Sequence, residues 1–223
     1  MQLIPSLEGE LGPILAAAVG VIWGFGADRL AARWPAHEDG SVRAIDWRSP
    51  LVALVGAAAF AGTILRFGDS PTAMLVVGIY VAALVVLFAT DLDQRLLPDV
   101  ITLPLVAYAI VTWLFVIRLF VHTNEDVLWA IGAAIVVPAA LFALSIPFGQ
   151  GAIGQGDLKL LVSVGLFAGS GKLFYALVAG ALLAGIAVAV LLFVRRISLK
   201  TYVPYGPFLI AGILWAILGL PET

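Results

Sequence analysis

The charged residues of this chain are spaced so that eight stretches carry none: 11–27, 49–65, 70–90, 100–117, 127–156, 160–171, 173–194 and 201–221. A helix that crosses a bilayer needs about 20 consecutive apolar residues, with a range of roughly 17 to 25, so seven of these runs are long enough as they stand. The run 160–171 is the exception, because at about 1.5 Å per residue it reaches only about 18 Å across a hydrocarbon core near 30 Å thick. The spacing predicts an all-α, polytopic membrane protein of about eight transmembrane helices. Composition supports this: of 223 residues, 62% are hydrophobic and 12% charged, far from the balance of a water-soluble domain. A soluble enzyme, a disordered chain and a collagen-like chain are excluded. The chain has no cysteine, which excludes disulfides and Cys-based zinc or iron-sulfur sites. The 12 basic and 14 acidic residues argue against nucleic acid as a partner and are compatible with a lipid bilayer.

Whether the short run crosses the membrane sets the side of every later loop, so the positive-inside rule can arbitrate. With eight spans, Arg29, Arg33, Arg43, Arg48, Arg95, Lys159, Arg195, Arg196 and Lys200 share one face, and Arg66, Arg118 and Lys172 share the other. With seven spans the asymmetry falls to 7 against 5. Eight spans are therefore expected, with both termini non-cytoplasmic. The N-terminal tail carries only Glu8 and Glu10 as charges, unlike a signal peptide, which opens with basic residues. Gly56, Gly78, Gly132, Gly180 and Gly185 are expected to let helix backbones approach closely, and Pro138 to kink its helix. No repeat or linker divides the chain, so residues 1–223 read as a single transmembrane domain.

Acids at helix ends on the basic face are not explained by topology. Asp91, Asp93 and Asp99 lie in "TDLDQRLLPD", directly after the run 70–90, and Asp157 lies in "GQGDLK", at the head of the short run. To lengthen that run, Asp157 and Lys159 must sit in the first turn of its helix, which places a carboxylate at the membrane surface, facing protein or a water-filled cavity. Two such carboxylates suit the chemistry of an aspartic protease. One, ionised, takes a proton from the attacking water, while its protonated partner donates to the scissile carbonyl. Gly154 and Gly156 remove side chains beside Asp157 and allow close approach of a partner helix or an extended substrate. Lys159 is open to pairing with Asp157 or a loop acid, or to snorkelling at the interface. His37 and His122 fall in different loops, so no metal site is expected.

These motifs resemble those of the type IV prepilin peptidases, membrane aspartyl proteases with a GxGD motif (peptidase family A24). "DLDQRLLPDVITLPL" (91–105) is similar to the family's first aspartate motif, "GQGDLKLL" (154–161) to its second, and "YVPYGPFLIAG" (202–212) to its Pro- and Gly-rich approach to the last helix. "GFGADRLAARWP" (24–35) keeps the register of the family's "GSFLNVVIHRLP" at Gly24, Arg33 and Pro35, and "IDWRSPLVALV" from Ile45 resembles "ISWRYPLVELL". The resemblance implies Asp91 and Asp157 as the catalytic pair, with Asp93 the fallback for the first position. Asp99, Lys159, Gly154 and Gly156 are further candidates for catalysis or substrate binding. It implies cleavage of the basic leader of prepilins or pseudopilins, without a cofactor, at the cytoplasmic face of a bacterial-type inner membrane. Bifunctional members also carry a zinc-binding domain with two CxxC pairs and methylate the new N-terminus with S-adenosylmethionine. Here a short loop, 34–50, stands in that domain's place, with only 36–44 between the two matching segments. Asp28 replaces the pattern's Asn and Phe25 its Ser. Peptidase activity is expected, and methyl transfer is expected to be weak or absent. The acids Glu38, Asp39 and Asp46 are candidates for attracting a basic leader.

Two other readings compete. A proton-linked transporter or channel would use membrane-edge acids as a relay, but no midplane carboxylate or inverted repeat is present. An inactive assembly subunit of a pilus or secretion machine would not need both aspartate motifs.

Overall fold

The computed structural model describes residues 5–37, 40–114, 119–148, 154–194 and 205–219. Among them the chain is all helical, with α1 (Pro5–Ala31), α2 (Arg48–Phe67), α3 (Pro71–Gln94), α4 (Asp99–Leu114), α5 (Asn124–Ser145), α6 (Gln155–Phe193), α7 (Gly206–Leu218) and a short 3-10 turn at Ile146–Phe148. Five helices (α1, α2, α3, α5 and α6) are long and apolar enough to cross a membrane, and α4 and α7 are shorter apolar helices. The chain falls into two compact units, Met1–Pro98 and Asp99–Thr223.

In the first unit, α1 and α2 meet through glycines. A Cβ on Gly20 would lie 2.2 Å from the Gly56 carbonyl oxygen, and one on Gly24 would lie 2.4 Å from that of Val52. Only residues without a side chain allow this approach, which brings van der Waals contact where lipid supplies no hydrophobic drive between helices. Trp23 Nε1 donates to the Ala82 carbonyl at 3.0 Å and ties α1 to α3. α3 starts at Ser70, whose hydroxyl caps the Ala73 N–H, followed by Pro71 in the first turn, where the missing N–H of proline costs nothing. It stops at Arg95, which adopts a left-handed conformation (φ 56°, ψ 39°) and returns its N–H to the Asp91 carbonyl.

In the second unit, the runs 160–171 and 173–194 share α6, which is broken at Gly169 (φ 83°, ψ 172°). A straight helix would separate residues 157 and 180 by about 35 Å. Tyr205 nevertheless lies near both: its hydroxyl is 3.3 Å from where a Gly180 Cβ would be, and the Asp157 charge acts on its phenol. α6 therefore folds back at Gly169 into two opposed arms, 155–168 and 170–193. The second arm packs on α7 through Gly212, where a Cβ would meet the Ala176 carbonyl at 2.3 Å. The first arm packs on α5, where a Cβ on Gly165 would be 2.9 Å from the Ala134 Cα. It meets α4 through the Tyr108 and Phe167 rings.

The break falls three residues ahead of the charge that separates the two runs in the sequence. Lys172 is 7% exposed. It donates to the Ala216 carbonyl at 3.2 Å and lies 5.1 Å from the Phe120 ring centre, so this lysine packs inside the unit. Gly56 and Gly180 make close approaches as expected. Gly78, Gly132 and Gly185 do not, since a Cβ there would meet nothing within 4 Å among the described residues. The expected markers Arg118, Arg195, Arg196 and Lys200, and the acids Glu38 and Asp39, lie outside the described residues.

Candidate active site

The last turn of α3 carries Asp91, Asp93 and Gln94, and the latter two are anchored. The Asp93 side chain is 2% exposed and meets three cationic or basic groups: Arg43 Nε at 2.6 Å, Arg48 Nη1 at 2.8 Å and His37 Nε2 at 3.1 Å. Gln94 Nε2 donates to the carbonyls of Ala31 at 3.0 Å and Pro35 at 2.7 Å. The ion network continues away from α3. Arg43 also pairs with Asp28 and, at 2.6 Å, with Asp46. Asp28, 1% exposed, is further bound by Arg29 and by the Ser49 hydroxyl at 2.6 Å. The Arg48 backbone N–H donates to Asp46 at 2.9 Å. Buried carboxylates are costly unless paired and hydrogen-bonded, and arginine's planar fork meets several at once. Burial works against the Arg43 charge, but the hydrogen bond to Asp28 and the carboxylates of Asp28, Asp93 and Asp46 outweigh it and raise its pKa further above the ordinary arginine value.

Asp91 is buried at the same helix end. It precedes Asp93 by two residues, and at about 100° per residue the two side chains leave α3 in nearly opposite directions. Arg29, Arg43 and Arg48 go to Asp28, Asp46 and Asp93.

In the second unit, Gly154 is the N-cap of α6 with an extended backbone (φ −64°, ψ 135°), and Asp157 is the third residue of the first turn. The Asp157 carboxylate turns back toward the Gly154 backbone. A Cβ on Gly154 would sit 3.0 Å from Asp157 Oδ2, so glycine at this position keeps that oxygen accessible to the backbone. The other oxygen, Oδ1, is buried and makes no hydrogen bond among the described residues. Gly156 lies between the cap and Asp157 and adds no side chain. Lys159, two residues on, turns to Asp99 at the head of α4, with Nζ 2.6 Å from Oδ1. Of the partners open to Lys159 in the sequence, the structure selects the loop acid Asp99.

The sequence reading placed Asp91, Asp93 and Asp157 at helix ends, where they are found. It read Arg43 only as a topology charge and Asp28 only as a departure from the family pattern, and it missed the contacts of Gln94 and Tyr205. The signal for the first two was present, in the density of charge in "VRAIDWR" and in the charged pair Asp28 and Arg29 at the end of an apolar helix. Asp46, a candidate for attracting a basic leader, is engaged by Arg43 and Arg48. Among the described residues no three His, Asp or Glu side chains gather as a metal site would require.

The sequence pattern of the type IV leader peptidase family matches residues 78–193, which contain both aspartate motifs. Three relatives, each named prepilin leader peptidase/N-methyltransferase, are similar over most of the chain. That of Burkholderia pseudomallei (strain 1026b) is 34% identical over 166 residues, covering 74% of this chain and 52% of the relative. That of Aeromonas hydrophila is 32% identical, with 77% and 59% covered. That of Dickeya chrysanthemi is 30% identical, with 79% and 62% covered. The chain thus spans about half to three fifths of the length of these relatives. No solved structure matches it. With a family pattern that covers just over half of its residues and several helices apolar enough to cross a bilayer, this multi-pass membrane protein belongs to the type IV leader peptidase family.

Proposed function

We propose that this protein is an aspartyl endopeptidase that cleaves the leader peptide of type IV prepilins or pseudopilins, with Asp91 and Asp157 as its two catalytic carboxylates. The observation that carries the reading is the state of Asp157. It sits in the first turn of α6 after two glycines, with one oxygen turned toward the Gly154 backbone and the other buried with no hydrogen bond among the described residues. A carboxylate kept for capping alone has no need of a second oxygen shielded from water. Asp91 is favoured over Asp93 for the other position because both oxygens of Asp93 are committed to the ion network, to Arg43, Arg48 and His37.

In the reaction, the ionised member of the pair takes a proton from water as the oxygen attacks the scissile carbonyl. The protonated member donates to the carbonyl oxygen, and the proton held by the first then leaves with the amine. The two apparent pKa values belong to the pair. The basic charges of the end that carries Asp93 support a cytoplasmic position in a bacterial-type inner membrane, by the positive-inside rule. No cofactor is required.

Methyl transfer to the new N-terminus is proposed to be weak or absent, although the relatives' names include it. The segment between the two matching motifs is only 36–44, and Asp28, where the family pattern has Asn, is occupied by Arg29, Arg43 and Ser49. S-adenosylmethionine is needed only if methylation is retained.

The test is separate replacement, Asp91→Asn and Asp157→Asn, with leader removal from a co-expressed prepilin as readout. Each is expected to abolish processing while membrane insertion persists. Processing at the normal rate by either variant would sink the assignment. Mass spectrometry of the mature pilin from the same cells reads methylation, and a stoichiometric methyl group added by this chain alone would overturn the second proposal.

A further inference from the structure

A single side chain in the loop after α1 reaches three carboxylates. Arg43 meets Asp28 from α1, Asp46 from its own loop and Asp93 from α3, with Nε 2.6 Å from Asp93 Oδ1. Its backbone is also fixed, since its carbonyl accepts from Arg29 Nη1 at 3.2 Å and its N–H donates to the Ala32 carbonyl at 3.4 Å. This is more constraint than a topology marker needs, because a cationic charge near the membrane serves that purpose wherever its head group points.

The constraint falls on the last turn of α3, the part of a helix whose carbonyls have no further turn to bond and which otherwise frays. Asp93 and Gln94 hold that turn from outside, one to the arginines and the other to the Ala31 carbonyl that ends α1 and the Pro35 carbonyl beyond it. Asp91 leaves the helix about 200° away from Asp93. A helix end pinned through Asp93 has its rotation set, and that rotation determines where Asp91 points.

We propose that Arg43 is a positioning residue for peptide cleavage: by bridging Asp28 and Asp93 it sets the rotation of the end of α3 and so the direction of the Asp91 carboxylate. This rests on the reading of Asp91 as a catalytic carboxylate. A neutral residue at 43 removes the bridge but leaves Asp93 its contacts with Arg48 and His37, so α3 stays in place with a looser end. Misplacement of a reacting group by about 1 Å is enough to cost about 100-fold in rate.

The test uses the full chain purified in detergent, with a leader-bearing type IV prepilin as substrate, and reads kcat, KM and the thermal unfolding midpoint. Arg43→Gln leaves Asp28 with one cation fewer and is at risk of misfolding. The double variant Asp28→Asn/Arg43→Gln is therefore measured beside it, because it loses one charge of each sign. Both are expected to lower kcat of the folded enzyme about 10-fold to 100-fold with KM changed by less than about threefold. Arg43→Lys is expected to recover part of the loss, since an ammonium keeps the charge but cannot bridge in the same plane. Unchanged kcat in the double variant, with Asp91→Asn inactive, would overturn the positioning role and leave the peptidase reading intact. An active Asp91→Asn would overturn the peptidase reading and this inference with it. Loss of activity only in proportion to loss of folded protein, with no recovery in Arg43→Lys, would reduce Arg43 to a structural residue and also overturn the proposal.

Discussion

The two aspartate motifs are held in contrasting ways. Around the end of α3, Arg29, Arg43 and Arg48 face Asp28, Asp46 and Asp93 in a dense, largely buried network. At the start of α6, Asp157 follows Gly154 and Gly156, its Oδ1 makes no hydrogen bond among the described residues, and the nearest lysine in sequence, Lys159, is drawn off to Asp99. Carboxylates that hold a fold are surrounded by cations, whereas one reserved for proton transfer is kept from them, because a nearby cation would stabilise the ionised form and weaken its basicity. On the proposed reading, Asp93 belongs with the scaffold and Asp157 with the chemistry.

The largest expected effect comes from removing the chemistry. Asp157→Asn and Asp91→Asn should each lower kcat by about 1,000-fold or more, measured as leader removal from purified prepilin, with little change in unfolding midpoint. Asp93→Asn should show the converse. It leaves Arg43 and Arg48 facing fewer anions in a buried site and is expected to cost about 3 kcal/mol of stability, read by thermal unfolding in detergent. If Asp93→Asn instead matched Asp91→Asn in kcat at unchanged stability, the contrast between the two carboxylates would be broken.

The next prediction concerns how each region is built. The first unit relies on ion pairs, whereas the arm that carries Asp157 depends on a backbone reversal. Gly169→Ala should cost about 2 kcal/mol, since a φ of 83° combined with a ψ of 172° is a conformation essentially confined to glycine. The same substitution at Gly171, where a Cβ meets nothing within 4 Å and no positive φ occurs, should cost much less, and equal costs would contradict the reversal. The smallest effect is expected at the pair of Lys159 and Asp99. Asp99 is 58% exposed, and exposed ion pairs contribute less than about 1 kcal/mol, so Lys159→Ala should move the unfolding midpoint little. A large shift would mean that the second region depends on ion pairs as the first does.

Much of this molecule is legible in its sequence. The apolar runs coincide with helices, and charges lie near most helix ends, because the preference of each side chain for lipid or water is a local property that sums along the chain. Asp91, Asp93, Asp99 and Asp157 can be singled out the same way, as acids at helix ends on the basic side, and the family resemblance picks Asp91 and Asp157 from among them. Lys172 shows where this logic stops. As a charge it divides two runs in the sequence, yet it is buried, and the reversal takes place at Gly169. Hydropathy registers the charge and cannot register the Ala216 carbonyl and Phe120 ring that receive it.

Membership of the membrane and the positions of the helices were thus legible in residue chemistry in one dimension. Which carboxylate meets which cation was decided only in three. Arg43 and Asp93 are fifty residues apart in sequence, and their contact depends on how α1 and α2 approach through Gly20, Gly24 and Gly56 and on the rotation of α3 about its own axis. A charge interaction falls off with distance and is weakened by water, so its partner is set by packing, and packing is a property of the assembled helices.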